Sequence, residues 1–175
     1  MKLDQKYFVP FMLVCGAISM IFIAVSSFNF SERRTDQFLS YAQSYDSLLT
    51  KPHPYIYKSD SLRLGEFSGE KTLVLFWASW SEKSSDIMAE LDVISHGSTK
   101  INVVAALVRD ATEELEVPSN QYDFHYIDGT VLNNELRVPG IPSYLILDEN
   151  GKPVNIQVGY KENQLSDQLA PFVDE

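Results

Sequence analysis

Two stretches decide how this chain folds, and the first is Leu73-Val74-Leu75-Phe76-Trp77-Ala78-Ser79-Trp80-Ser81-Glu82-Lys83-Ser84. Its first half is apolar, β-prone and of strand length, so Thr72–Trp77 reads as a strand. A helix follows from about Glu82 to Ile94, with Ile87, Met88, Leu91 and Ile94 on one face. Ser81 then falls at the N-cap and Ser84 in the first turn, where serine bonds backbone. The second stretch is Val138-Pro139-Gly140-Ile141-Pro142-Ser143-Tyr144-Leu145-Ile146-Leu147-Asp148-Glu149-Asn150-Gly151. A proline-rich loop enters a strand at Tyr144–Leu147, and Asp148–Gly151 is a strong hairpin turn into a further strand at Pro153–Val158.

Working outward, Ile101–Leu107 is a nearly continuous apolar run, as a strand covered on both faces requires. A short acidic helix is expected around Glu113, Glu114 and Glu116, a strand near Tyr122–Ile127, and a short helix near Leu132–Arg137. An amphipathic helix over Lys161–Val173 closes the chain. Before the first stretch, a turn at Ser68-Gly69-Glu70 is preceded by short extended segments around Tyr55–Lys58 and Ser61–Leu64. Strands that alternate with helices, followed by a hairpin and a helix, predict an α/β domain: a mixed central sheet with helices on both faces.

The N-terminal end is different. Phe8 to Phe28 carries no charge and is long enough to cross roughly 30 Å of hydrocarbon as a helix. Its length exceeds the ~7–15-residue core of a signal peptide, so a retained anchor is favoured over cleavage near Ala24-Val25-Ser26. Lys2 and Lys6 on one flank nearly balance Arg33 and Arg34 on the other, and orientation is weakly specified. Ser31 is placed to cap a second helix through Thr50, with Phe38, Ala42, Tyr45 and Leu49 as its stripe. That helix is either a stalk continuing the membrane helix or a first helix packed on the domain, and Lys51-Pro52-His53-Pro54 ends it. The organisation expected is an anchor over 1–30, a helical stalk and linker over 31–54, and a folded domain over 55–175.

Composition narrows the function. The net charge is −10 in 175 residues, which repels phosphate backbones and argues against a nucleic-acid partner. The one cysteine, Cys15, lies inside the apolar run, where Val14 and the continuing apolar sequence do not suit lipidation. The rest of the chain has no thiol and forms no disulfide in any compartment.

The two quoted stretches resemble the thioredoxin family. The first is similar to the junction where a strand runs into Trp-Ala-x-Trp-Cys-x-x-Cys, and the second to the loop carrying the family's cis-proline, here Pro142. The intervals and the Ser61–Gly69 lead-in are similar to the membrane-anchored, extracytoplasmic thiol-disulfide oxidoreductases of the TlpA and ResA type. The resemblance covers roughly residues 55 to 173. It implies a thioredoxin-like fold, a cytoplasmic N-terminus and a domain on the extracytoplasmic (periplasmic) side.

It also implies what is missing. In the family the first cysteine sits at a helix N-terminus that stabilises its thiolate, and the second resolves the mixed disulfide. Those positions match Ser81 and Ser84. The assisting carboxylate corresponds to Leu75 in thioredoxins and to Ile87 in the TlpA and ResA type. Serine forms no disulfide, so thiol–disulfide exchange is excluded for this sequence and no catalytic residue is assigned. An engineered cysteine-to-serine pair is the competing explanation. The apolar residues at 75 and 87 argue for a natural loss.

The partner-binding candidates are Trp80, Gly140, Ile141 and Pro142, which the resemblance places at a shallow groove open to an extended segment. His53 lies between prolines in the linker, His96 at a helix end, and His125 within a strand. None has metal-ligand spacing, and the Glu113–Glu116 cluster lacks the ordered oxygens of a calcium loop. No cofactor, metal or small-molecule substrate is expected. The leading expectation is a redox-inactive, membrane-tethered protein-binding domain, an accessory subunit of a larger membrane complex. The alternatives are a silenced thiol-disulfide oxidoreductase and an extracytoplasmic chaperone-like domain.

Overall fold

The computed structural model describes residues 5–96, 101–108, 122–162 and 165–173. The acidic helix expected around Glu113–Glu116 lies outside them. Helix α1 runs unbroken over Gln5–Ser44. Within it, Phe8–Ser26 has a mean hydropathy of 2.5 and is long and apolar enough to cross a membrane. Position 31 therefore lies inside a helix rather than at its start. No proline or glycine separates the apolar run from the amphipathic stretch, so nothing interrupts the backbone ladder.

The chain divides into two compact units, Met1–Asp36 and Gln37–Glu175. The second unit starts well before residue 55, because Phe38 and Ala42 are buried in its core. The helix ends at Ser44, short of Thr50, and residues 46–50 form turns. Ser44 Oγ donates to the Tyr41 carbonyl at 3.1 Å, the local side-chain bonding by which serine competes with helix continuation.

Strands β1 (His53–Pro54) and β2 (Ser61–Leu62) pair antiparallel, and a 3-10 turn follows at Leu64–Phe67. Tyr55 makes only an isolated bridge to Ile127 instead of opening a strand. Then come β3 (Thr72–Trp77), α2 (Glu82–Ser95), β4 (Asn102–Leu107), β5 (His125–Asp128), α3 (Thr130–Glu135), β6 (Ser143–Leu147), β7 (Pro153–Val158) and α4 (Leu165–Val173). The main sheet has the order β5-β4-β3-β6-β7. β3, β4 and β5 are parallel, while β6 and β7 run antiparallel to their neighbours.

Side-chain alternation splits the core into two layers. Val74, Phe76, Val104, Ala106, Leu145 and Leu147 face Phe38, Ala42, Leu132 and Leu136. Leu73, Leu75, Val103, Ala105, Tyr144 and Ile146 face Ile87, Met88 and Leu91 of α2 and Leu165 and Leu169 of α4. Each of the larger apolar side chains contributes about 1.5–3 kcal/mol on burial, so the sheet is held from both faces.

Local chemistry sets two boundaries. The β6–β7 turn closes because Asp148 Oδ1 accepts the Asn150 and Lys152 N–H groups at 2.9 and 2.8 Å. Gly151 has φ +75 there, a conformation that L side chains rarely adopt, and a Cβ would also displace the Leu49 methyls 2.7 Å away, so glycine is favoured. Helix α3 stops at Glu135, before the expected Arg137, since Arg137 adopts φ +52. Arg137 N–H then bonds Asn134 O at 3.3 Å and Val138 N–H bonds Asn133 O at 3.0 Å, a Schellman ending with arginine at the glycine position.

Candidate functional site

The β3–β6 register pairs Phe76 with Ser143, which sets the exit of β3 beside the entry of β6. The β6–β7 register pairs Ser143 with Val158, and Gly159 N–H donates to Pro142 O at 2.9 Å. Three segments therefore meet at one end of the sheet: residues 78–84, the loop 138–142, and the chain leaving β7 at Gly159. The Ile141–Pro142 bond is cis.

At this end Trp80 is 64% exposed, an unusual position for a large aromatic, whereas Trp77 three residues earlier is core. Gly140 and Ile141 are half-buried and Pro142 is buried. Ser143 Oγ donates to Gly140 O at 2.7 Å and tightens the loop. Among the described residues, no hydrogen bond uses the backbone N–H or C=O of Ile141. Those two backbone groups lie at the same end of the sheet as the exposed indole.

Ser81 is the N-cap of α2, but its side chain makes no capping hydrogen bond. Ser84 is buried, and its Oγ accepts the Ala78 N–H at 3.3 Å. Leu75 and Ile87 are both fully buried in one apolar cluster. Two hydroxyls therefore stand at the helix N-terminus, with hydrocarbon beneath them.

The fold now has a name. Against solved structures the chain is similar to DsbF of Mycobacterium tuberculosis, at 14% identity and TM-score 0.62 over 73% of this chain and 98% of that one. A secreted disulfide oxidoreductase of the same organism matches at 15% and 0.60 over 72% and 98%. StoA of Bacillus subtilis matches at 18% and 0.53 over 67% and 93%. This is a thioredoxin-like fold. At these identities the likeness concerns the fold alone. No protein-family model and no curated protein sequence matches the chain.

Within this thioredoxin-like domain, sequence reasoning missed Tyr160. It follows Gly159 directly and packs on the α2 side of the sheet, and its hydroxyl donates to Glu90 Oε2 at 2.7 Å. Burial first, then the Glu90 hydrogen bond and the charges of Glu90, Asp86 and Glu162, push the phenol up to about 12. A glycine just after the last strand, followed by an aromatic, was the available signal.

The histidines lie elsewhere. His53 is in β1 and buried, rather than in a linker, and among the described residues its Nε2 has no hydrogen-bond partner. Burial, and then Lys51, lower its pKa. His96 caps the end of α2, where Nδ1 meets Asp92 O at 2.8 Å. With His125, Glu70 and Asp123 it lines a polar pocket of about 330 Å³ at the opposite end of the parallel strands. Among the described residues no group of three or more histidine, cysteine or acidic side chains can hold a metal.

Proposed function

We propose that this protein is a membrane-tethered, redox-inactive thioredoxin-like domain that binds protein through the groove of Trp80, Gly140, Ile141 and Pro142, as an accessory subunit of a larger membrane complex. The observation that carries this is the pairing of an exposed Trp80 with an Ile141 backbone that takes part in no hydrogen bond among the described residues. Exposed indoles are rare, and interface anchors are rich in them. The cis-proline loop adds what strand addition needs, a free donor and acceptor on fixed backbone. Chemistry at the same end supports a binding role over turnover, since the only cysteine of the chain is Cys15.

In this reading Phe8–Ser26 anchors the chain with its N-terminus in the cytoplasm, and the domain stands on the extracytoplasmic side. Native electrophoresis of gently solubilised source membranes tests the subunit role. The chain is expected in constant ratio with a large assembly, and Trp80→Ala or Ile141→Asp is expected to release it without unfolding it. Migration near its own mass contradicts the proposal and favours the chaperone-like reading.

A further inference from the structure

Helix α2 carries Asp86 and Glu90 one turn apart, and side chains four residues apart on a helix lie on one face. Glu90 accepts the Tyr160 hydroxyl, and Glu162 follows two residues after that tyrosine. Glu90 thus touches the Tyr160 phenol, and the charges of Asp86 and Glu162 act on the same group. That ring is tied to the groove by the Gly159–Pro142 hydrogen bond. Among the described residues, none of the three carboxylates takes part in an ion pair. The cations nearby are Lys83 and Lys161, both exposed, set against Glu82 as well as these three. The balance stays negative, in line with the chain's −10.

Like charges at this spacing repel one another in the free domain. A partner cation relieves that repulsion, whereas a partner anion adds to it. We infer that the groove takes an extended protein segment in which lysine or arginine alternates with apolar side chains, the apolar ones meeting Trp80 and Ile141 and the cation meeting Asp86, Glu90 and Glu162. This rests on the groove being the protein-binding surface and adds the chemistry of its occupant. Charge complementarity at a partly exposed rim selects among partners more than it strengthens binding overall. An arginine also gains from the face of the exposed indole.

The test uses the full chain in nanodiscs of zwitterionic lipid, with three fluorescent decapeptides. Their valine and isoleucine positions are identical, and lysine, glutamine or glutamate occupies the alternate positions. In fluorescence anisotropy at low salt, the lysine peptide is expected to bind about tenfold tighter than the glutamine one, with the gap closing as salt is raised. The triple variant Asp86→Asn, Glu90→Gln, Glu162→Gln is expected to bring the gap below about twofold by weakening the lysine peptide. Trp80→Ala is expected to weaken all three. Equal affinities for the three peptides, each still lowered by Trp80→Ala, overturn the charge assignment and leave the groove. A lysine preference that survives the triple variant also overturns it. Binding that ignores Trp80→Ala, or no binding at all, overturns the groove reading and the inference with it.

Discussion

Ala78 N–H donates to Ser84 Oγ at 3.3 Å across the junction between β3 and α2, and both residues are buried. Ser84, which the resemblance matches to a second cysteine, therefore has a structural role. Ser81 at the first position has none through its hydroxyl, since its side chain makes no capping bond. Ser84→Ala strands a buried backbone donor and should cost about 1–3 kcal/mol. Ser81→Ala should stay within about 0.5 kcal/mol. Urea denaturation of the two variants checks the contrast, and equal costs contradict it.

Leu75 and Ile87 share one dry cluster, so restoring sulfur alone should not restore an enzyme. The double variant Ser81→Cys, Ser84→Cys should fold and form the bridge under oxidant. As a dithiol reductase it should run about a hundredfold or more below a thioredoxin that has a proton-relaying carboxylate. Insulin reduction measures this. Full activity would favour the silenced-enzyme reading.

Arg137 Nη1 donates to Tyr41 Oη at 2.7 Å, and its guanidinium lies 4.5 Å from that ring. Beside it, Tyr45 and Lys51 both bond Glu135. These contacts hold the end of α1 to α3, directly before the Pro142 loop. Arg137→Val places a β-branched residue at φ +52 and loses the contact, at a cost of about 2 kcal/mol or more. Arg137→Gly relieves the backbone while losing the same contact, and should fall within about 1 kcal/mol of the parent. Thermal unfolding of the pair separates backbone from side chain.

His53 and His125 both have pKa values lowered from 6.5, in each case first by burial and then by a lysine, Lys51 or Lys58. A base that is harder to protonate when folded leaves the unfolded chain to take up protons first. Stability is therefore full above pH 6.5 and falls as the pH drops below it toward the lowered values. His53→Leu should flatten part of that decline. At neutral pH it should change stability by no more than about 1 kcal/mol, because Nε2 forms no hydrogen bond to lose. Melting temperatures of both proteins between about pH 7.5 and 5 test it.

Much of this was legible in the sequence. Thr72–Trp77 and Pro153–Val158 are short, β-prone runs of strand length bounded by turn signals, and Asp148–Gly151 has turn chemistry that fixes its own hairpin. The cis bond at Pro142 followed from resemblance to the thioredoxin loop, since composition alone does not distinguish it from a trans turn. Where α1 ends and α3 stops was not legible, because Ser44 bonds its own backbone and Arg137 takes a glycine's conformation. His53 read as linker because its neighbouring prolines masked a two-residue strand buried against Leu62. At the site, Trp80 and Ile141 were named from motif position. Tyr160 and Glu90 were missed because their contact spans 70 positions and no local pattern encodes it.

The most direct test of the thiol-free binding groove is photo-crosslinking in intact source membranes. A photoreactive residue is placed at position 80, and in a matched strain at Val93, which is 75% exposed on α2 away from the groove. The account predicts a discrete adduct of one partner from position 80, lost with Ile141→Asp, and none from position 93. No adduct at 80, or the same adducts from both positions, contradicts it.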